Sequence, residues 1–241
     1  MKKLVSIAAI SLYLSPQAHA ATMIELNGGN ETSQVWINDD FARFDVVEDG
    51  NAQQHPTAPN EIMADLGAGK IYALDHENKV MILVASLVDQ PASPKSTVKL
   101  TYDHQGKGPD IAGFETQRYT LKVDGQQCYE VLFSKDAMKN DHVRKYIELM
   151  FKSNPPSTET SAPCEQGLEQ MELQTVDKYG MPMKIVTADG DVDTVVTKIV
   201  ADATVPHGPL TLPQGYTTYT MQQLYEMQMQ YMQQLHEQQA Q

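Results

Sequence analysis

The chain has 241 residues, of which 31 are acidic and 18 are basic, so its formal net charge is -13. Nucleic acids and anionic lipid surfaces bind clusters of lysine and arginine, which makes both of them poor partners for this chain. The acidity has a simpler explanation, because it keeps an exported protein soluble.

The first 20 residues, MKKLVSIAAISLYLSPQAHA, have the parts of a secretory signal peptide. Two lysines precede an apolar run, and a proline then leads to an A-x-A cleavage site. We therefore expect export and a mature chain that begins at Ala21. Loss of Lys2 and Lys3 changes the formal charge from -13 to -15. Later apolar stretches are shorter than the roughly 20 residues of a membrane helix, so we expect no membrane span.

The two cysteines, Cys128 and Cys164, are expected to form a disulfide in an oxidising compartment. The bond would close a long loop and stabilise the fold by about 2–4 kcal/mol in the chain-entropy account. A shared metal is a weaker interpretation, because the spacing is not that of a C-x-x-C site.

Short apolar segments separated by turn residues extend from Met23 to Tyr216. In TLKVDGQQCYEVLFS the apolar residues alternate on both sides of Asp124-Gly125, which predicts a β-hairpin. Turns recur about every 8 to 12 residues, which favours one antiparallel sheet over βαβ units.

Two acidic segments could be mistaken for metal sites. Asp75-His76-Glu77 lies in a five-residue connection, 75–79, between two predicted strands, where adjacent side chains diverge. DGDVD at 189–193 lacks the glycine and the final acid of a calcium-binding loop. Both segments are therefore predicted to be turns, as is GAGK at 67–70.

Helices are predicted at two places. Residues 135–153 fit one short helix, whose more regular part is 141–151, and the segment 154–163 is expected to be a flexible link. A second helix is expected over 220–239, with methionine, leucine and tyrosine on one side and glutamine on the rest.

Catalytic motifs are missing from the sequence. It has no G-x-S-x-G elbow, no H-E-x-x-H, no Walker A loop and no G-x-G-x-x-G. We therefore expect neither catalysis nor a cofactor, although an enzyme of unknown type remains an alternative.

The C-terminal segment is rich in methionine and glutamine. Met227, Met229, Met232 and His236 could bind Cu(I) through soft thioethers and an imidazole, which suggests metal handling as an alternative function. The other interpretation is an adaptable apolar stripe that packs on the sheet or on a partner.

The segments VWINDDFARFDV, IMADLGAGKIYALDHENKVMILV and IAGFETQRYTLKVDGQQCYEVLFS, followed by YGMPMKIV and LTLPQGY, resemble a periplasmic family of unassigned function. That family has the LolA-like half-barrel of lipoprotein-localisation carriers. The resemblance implies a curved antiparallel sheet with its concave face covered by a helix or loops. In the carriers this cavity accepts acyl chains, and an important carrier arginine lies near the position of Arg43.

Together these features predict a mainly β (α+β) periplasmic protein in three parts: a signal peptide (1–20), a LolA-like domain (21–219) and a C-terminal amphipathic helix (220–241). The expected partner is an apolar ligand, either an acyl chain or a lipidated envelope protein. The expected ligand-binding residues lie on the predicted strands and are Trp36, Arg43, Phe44, Ile71, Leu83, Leu100 and Tyr119.

Overall fold

The computed structural model describes residues 21–29, 31–47, 61–88, 98–153, 162–171, 173–206 and 208–239. The predicted signal peptide lies outside these residues, as does most of the predicted link after residue 153. Within the described part of the chain, no helix combines the length and the apolarity that crossing a membrane requires.

Twelve β-strands dominate the described part of the chain. They are β1 (Ala21–Gly28), β2 (Glu31–Ile37), β3 (Phe41–Val47), β4 (Glu61–Asp65), β5 (Lys70–Asp75), β6 (Val80–Ser86), β7 (Leu100–Lys107), β8 (Gln117–Val123), β9 (Gln126–Ser134), β10 (Met181–Thr187), β11 (Val192–Ala203) and β12 (Thr217–Thr220). The four α-helices are α1 (Asp141–Ser153), α2 (Pro163–Glu169), α3 (Leu173–Tyr179) and α4 (Met221–Gln239), and a 3-10 turn (Ala137–Lys139) precedes α1.

All twelve strands belong to one sheet, in the order β12-β6-β5-β4-β3-β2-β1-β11-β10-β9-β8-β7. Neighbouring strands are antiparallel except at one edge, where β12 pairs with β6 in parallel. The sheet is open, with β12 and β7 as its edges. This architecture confirms the predicted mainly β fold with a single antiparallel sheet.

Helix α1 covers one face of the sheet. Its side chains Val143, Tyr146 and Ile147 are buried in an apolar cluster. Seven adjacent strands contribute residues to this cluster, in the order β5-β4-β3-β2-β1-β11-β10. Seven strands at about 4.8 Å spacing span about 29 Å, whereas a helix is only about 10–12 Å across. The sheet must therefore curve around α1, which makes it a half-barrel with the helix in its concave face.

A side-chain cap begins α1. The Asn140 side-chain oxygen accepts hydrogen bonds from the backbone N–H groups of His142 at 2.9 Å and Val143 at 3.1 Å. Asparagine is among the best N-cap residues because it satisfies N–H groups that have no partner within the helix.

Replacing Asn140 with alanine is expected to lower the free energy of unfolding by about 1 kcal/mol, because the cap is lost. Urea denaturation followed by circular dichroism measures the change. Asn140→Asp is the matched control, since aspartate keeps the accepting oxygen and should retain most of the stability. Equal stability of wild type and N140A would contradict this role.

The opposite, convex face has its own apolar cluster. Trp36, Met63 and Leu74 are buried there beneath Leu210, which belongs to the segment between β11 and β12. The sheet is thus covered on both faces over part of its area, by a helix on the inside and by an extended segment on the outside.

The predicted turns are confirmed. Asp124 and Gly125 form a two-residue hairpin loop with φ of 50° and 87°, as a type I′ turn requires. Asp75 pairs with Val80 across the ladder, and its carboxylate accepts a hydrogen bond from the Asn78 backbone at 2.9 Å. Residues 66–69 and 188–191 connect the β4–β5 and β10–β11 hairpins.

The helix predictions are confirmed for α1 and for the C-terminal helix α4, but two helices were missed. Leu173–Tyr179 lies within the region 23–216, whose apolar segments and turns predict strands, but it is helical. Pro163 was assigned to the link, but it begins α2. Both helices are only seven residues long, so neither is stable without tertiary contacts.

Candidate ligand groove

Helix α2 is attached to the sheet by the predicted disulfide. Cys164, at its start, is bonded to Cys128 of β9, and their Cα atoms are 5.3 Å apart. Cys128 is buried in an apolar cluster with Leu121 and Val131. The covalent bond therefore holds α2 at one place over the end of the sheet formed by β8 and β9.

Gly167 gives α2 its close approach to the sheet. A β-carbon at this position would collide with the Val123 side chain of β8 and lie 3.3 Å from Leu100 Cδ2. Only glycine allows the helix to pack this closely. The disulfide and this contact together orient the remaining α2 side chains towards α1 and the neighbouring strands.

A groove of about 720 Å³ lies between α1, α2 and strands β9 to β11. We call it the α1–α2 groove. Its apolar lining consists of Tyr129, Met150, Phe151, Leu168, Met171, Pro182 and Ile185, and its polar lining consists of Glu165, Glu169, Thr187 and Asp193. The volume lies within the range of small-ligand sites, about 300–1,000 Å³.

The rim of the α1–α2 groove is negatively charged. Glu165 and Glu169 are exposed on α2, and Asp193 is exposed on β11. Burial raises the pKa of the Tyr129 phenol, and the charges of Asp193 and Glu165 raise this pKa further. The field of these two carboxylates therefore reaches the lining of the groove.

A second groove, of about 400 Å³, lies on the other side of α1, against the β4–β5 turn. Its charged groups are paired with one another. Lys145 contacts the carboxylate of Asp39, and Lys152 lies 4.0 Å from a Glu148 oxygen. Helix α1 thus divides the concave face into one groove with paired charges and one groove with an acidic rim.

The seven residues predicted to bind ligand do not line the α1–α2 groove, and they occupy different parts of the fold. Phe44 and Ile71 pack in the α1 cluster, and Trp36 packs in the convex-face cluster. Leu100 and Tyr119 lie beside the cluster around Phe133 at the β8–β9 end. Ligand binding by this set remains a prediction.

Arg43 and Leu83 complete the predicted set. Arg43 is buried, and its register partner is Trp36, so it belongs to the convex face. Its Nε and Nη2 atoms donate to the carboxylate of Asp45, each at 3.0 Å. Leu83 is half-buried on β6, between β5 and β12.

His76 lies in a polar group with Tyr216 and Glu61. Its Nδ1 atom is 2.8 Å from the Tyr216 hydroxyl, and its Nε2 atom is 3.2 Å from a Glu61 oxygen. These residues join the β5–β6 turn to the segment that enters β12. They do not belong to the lining of the α1–α2 groove, and the described residues contain no group of three ionisable side chains placed to hold a metal.

The methionines proposed for copper lie on the exposed helix α4. Met227, Met229 and Met232 have 41%, 45% and 47% of their surface exposed. Residues 227 and 229 are two positions apart and therefore point to different sides of the helix. Position 236 lies within α4, one turn after 232, and its side chain is outside the described part of the chain.

The fold defines an open, half-barrel sheet protein with a groove beside its covering helix. No family model matches this chain, and no curated protein matches it either.

The solved structures that are similar to this chain include three of MucB. They are MucB alone (13% identity, TM-score 0.34, covering 83% of this chain and 60% of that chain), MucB in complex with MucA(peri) (12%, 0.34, 85% and 58%), and the MucA/MucB complex of Pseudomonas aeruginosa (12%, 0.35, 85% and 59%). This chain therefore spans about three fifths of the length of each MucB chain.

Proposed function

We propose that this protein is an exported, non-catalytic binding protein that holds an apolar ligand in the α1–α2 groove. The ligand class that we propose is an acyl chain or the apolar part of a lipidated envelope protein. The observation that supports this proposal is the groove itself, whose lining includes seven apolar side chains from two helices, two strands and a connecting segment.

Residues 21–219 form the binding domain in this proposal, and residues 220–241 are a separate C-terminal helix. Export to the periplasm is supported by the signal-peptide pattern of residues 1–20 and by the disulfide, because disulfides persist in oxidising compartments. A LolA-like relationship fits the same architecture, a curved sheet around a covering helix.

The groove can be tested with the neutral, environment-sensitive dye Nile red and the variant Leu168→Gln. Leu168 is half-buried on α2 and lines the groove. Burying a leucine side chain contributes about 1.5–3 kcal/mol, so loss of part of this contact should weaken dye binding about tenfold. Fluorescence titration of the purified mature protein measures the dissociation constant.

Leu224→Gln is the matched control, because Leu224 is also half-buried but lies on α4. It should bind the dye as wild type does. Equal binding by wild type and L168Q, with binding lost in L224Q, would move the apolar site to the C-terminal helix and overturn the proposal.

A further inference from the structure

The three carboxylates at the rim of the α1–α2 groove differ from the acidic groups of the second groove, Asp39 and Glu148, which form ion pairs with lysines of α1. Among the described residues, Glu165, Glu169 and Asp193 form no ion pair with a lysine, arginine or histidine of the chain. The negative charge of the α1–α2 groove is therefore available to a ligand.

The three carboxylates also lie on two different elements of the groove lining. Glu165 and Glu169 are four residues apart on α2, so they share one side of that helix, and Asp193 belongs to β11. Apolar side chains, including Phe151 and Ile185, lie among them in the lining. A ligand that matches this arrangement has apolar groups in the middle and positive charges on either side.

We propose, building on the proposed function, that the groove receives a segment of a partner protein in which lysine or arginine flanks apolar groups. A free fatty acid brings its own carboxylate to an acidic rim and is repelled. The expected mature chain has a net charge of -15, which attracts a basic segment and disfavours an anionic membrane surface.

Three peptides test this inference by isothermal titration calorimetry with the mature protein. They are acetyl-LKLGLK-amide and its counterparts with glutamine or glutamate in place of both lysines. Exposed ion pairs each change affinity by a factor of roughly two to five, so the lysine peptide should bind about tenfold more tightly than the glutamine peptide. The preference should shrink as salt is raised.

The protein variants locate the charge that matters. E165Q/E169Q/D193N removes the groove carboxylates and should abolish the preference for lysine. E31Q/D202N/E226Q is the matched control, because it removes the same charge at exposed positions outside the groove lining. It should keep most of the preference.

Equal binding of the lysine and glutamine peptides, or an unchanged preference in the groove variant, would overturn the inference about charge. The proposed function would still stand in that case if Nile red binding depended on Leu168. If the lysine peptide is not preferred and Nile red binding does not depend on Leu168, the groove is not a binding site. An equal loss of preference in the two triple variants would assign the effect to net charge and would also overturn the inference.

Discussion

The double variant C128A/C164A is expected to unfold with a free energy about 2–4 kcal/mol lower than wild type. The disulfide closes a loop with a sequence separation of 36 residues, and without it the unfolded chain gains conformational entropy. Alanine is the appropriate replacement, because Cys128 is buried among apolar side chains and a serine hydroxyl would add a desolvation cost. Chemical denaturation measures the difference.

The same variant should also lose affinity for groove ligands, because α2 forms one wall of the groove and Cys164 is its covalent attachment. Nile red titration under conditions where the variant is folded separates this effect from global unfolding. Reduction of wild type with dithiothreitol is the matched control and should reproduce both losses. A variant that is destabilised but binds the dye normally would show that Gly167 and its packing suffice to hold α2.

Gly180→Ala is expected to lower the free energy of unfolding by about 2–4 kcal/mol. Gly180 joins α3 to β10 with φ of 106°, and a β-carbon there would overlap the backbone carbonyl of Ser134. Its N–H also donates to the carbonyl of Val176 at 2.7 Å and ends α3. Backbone strain and a clash with backbone atoms add together, since neither can be relieved by a side-chain rotation.

Gly190→Ala separates the two causes. Gly190 has φ of 93°, but a β-carbon there would meet nothing within 4 Å. This control should cost only about 1–2 kcal/mol, from strain alone. The difference between the two variants, measured by urea denaturation, reports the contact between β9 and the start of β10. Equal losses in the free energy of unfolding would show that the backbone near Ser134 moves aside without cost when a β-carbon is added at position 180.

Patterns that act over a few residues could be interpreted from the sequence. The Asp124-Gly125 pair predicts its hairpin because both positions need positive φ, which aspartate and glycine tolerate. Helix α1 follows from its apolar spacing, and the disulfide follows from having only two cysteines in a chain with a signal-peptide pattern. The hairpin and helix α1 depend on local conformation. The disulfide could be predicted because each cysteine has only one other cysteine to pair with.

Helices α2 and α3 could not be recognised in this way. Each has seven residues, too few for a clear apolar period. They are held by contacts with distant parts of the chain. Gly167 packs against Val123, and Tyr179 packs against Phe133 with ring centroids 5.7 Å apart.

The candidate site also combines features that local sequence predicts with features that depend on distant contacts. The sequence by itself determined the signal-peptide pattern, the acidity, the order of most strands and their turns, and the cysteine pair. It did not show which of many apolar strand residues share a cavity, because alternation assigns residues to two faces without saying which face is covered. Only the tertiary structure decided that α1 fills the concave face, and that α2, attached through Cys164, leaves an apolar groove beside it. The carboxylates at the rim of this groove form no ion pair with the described residues. The physical reason is that a groove is the space left between packed elements, and this space depends on long-range contacts that no local pattern encodes.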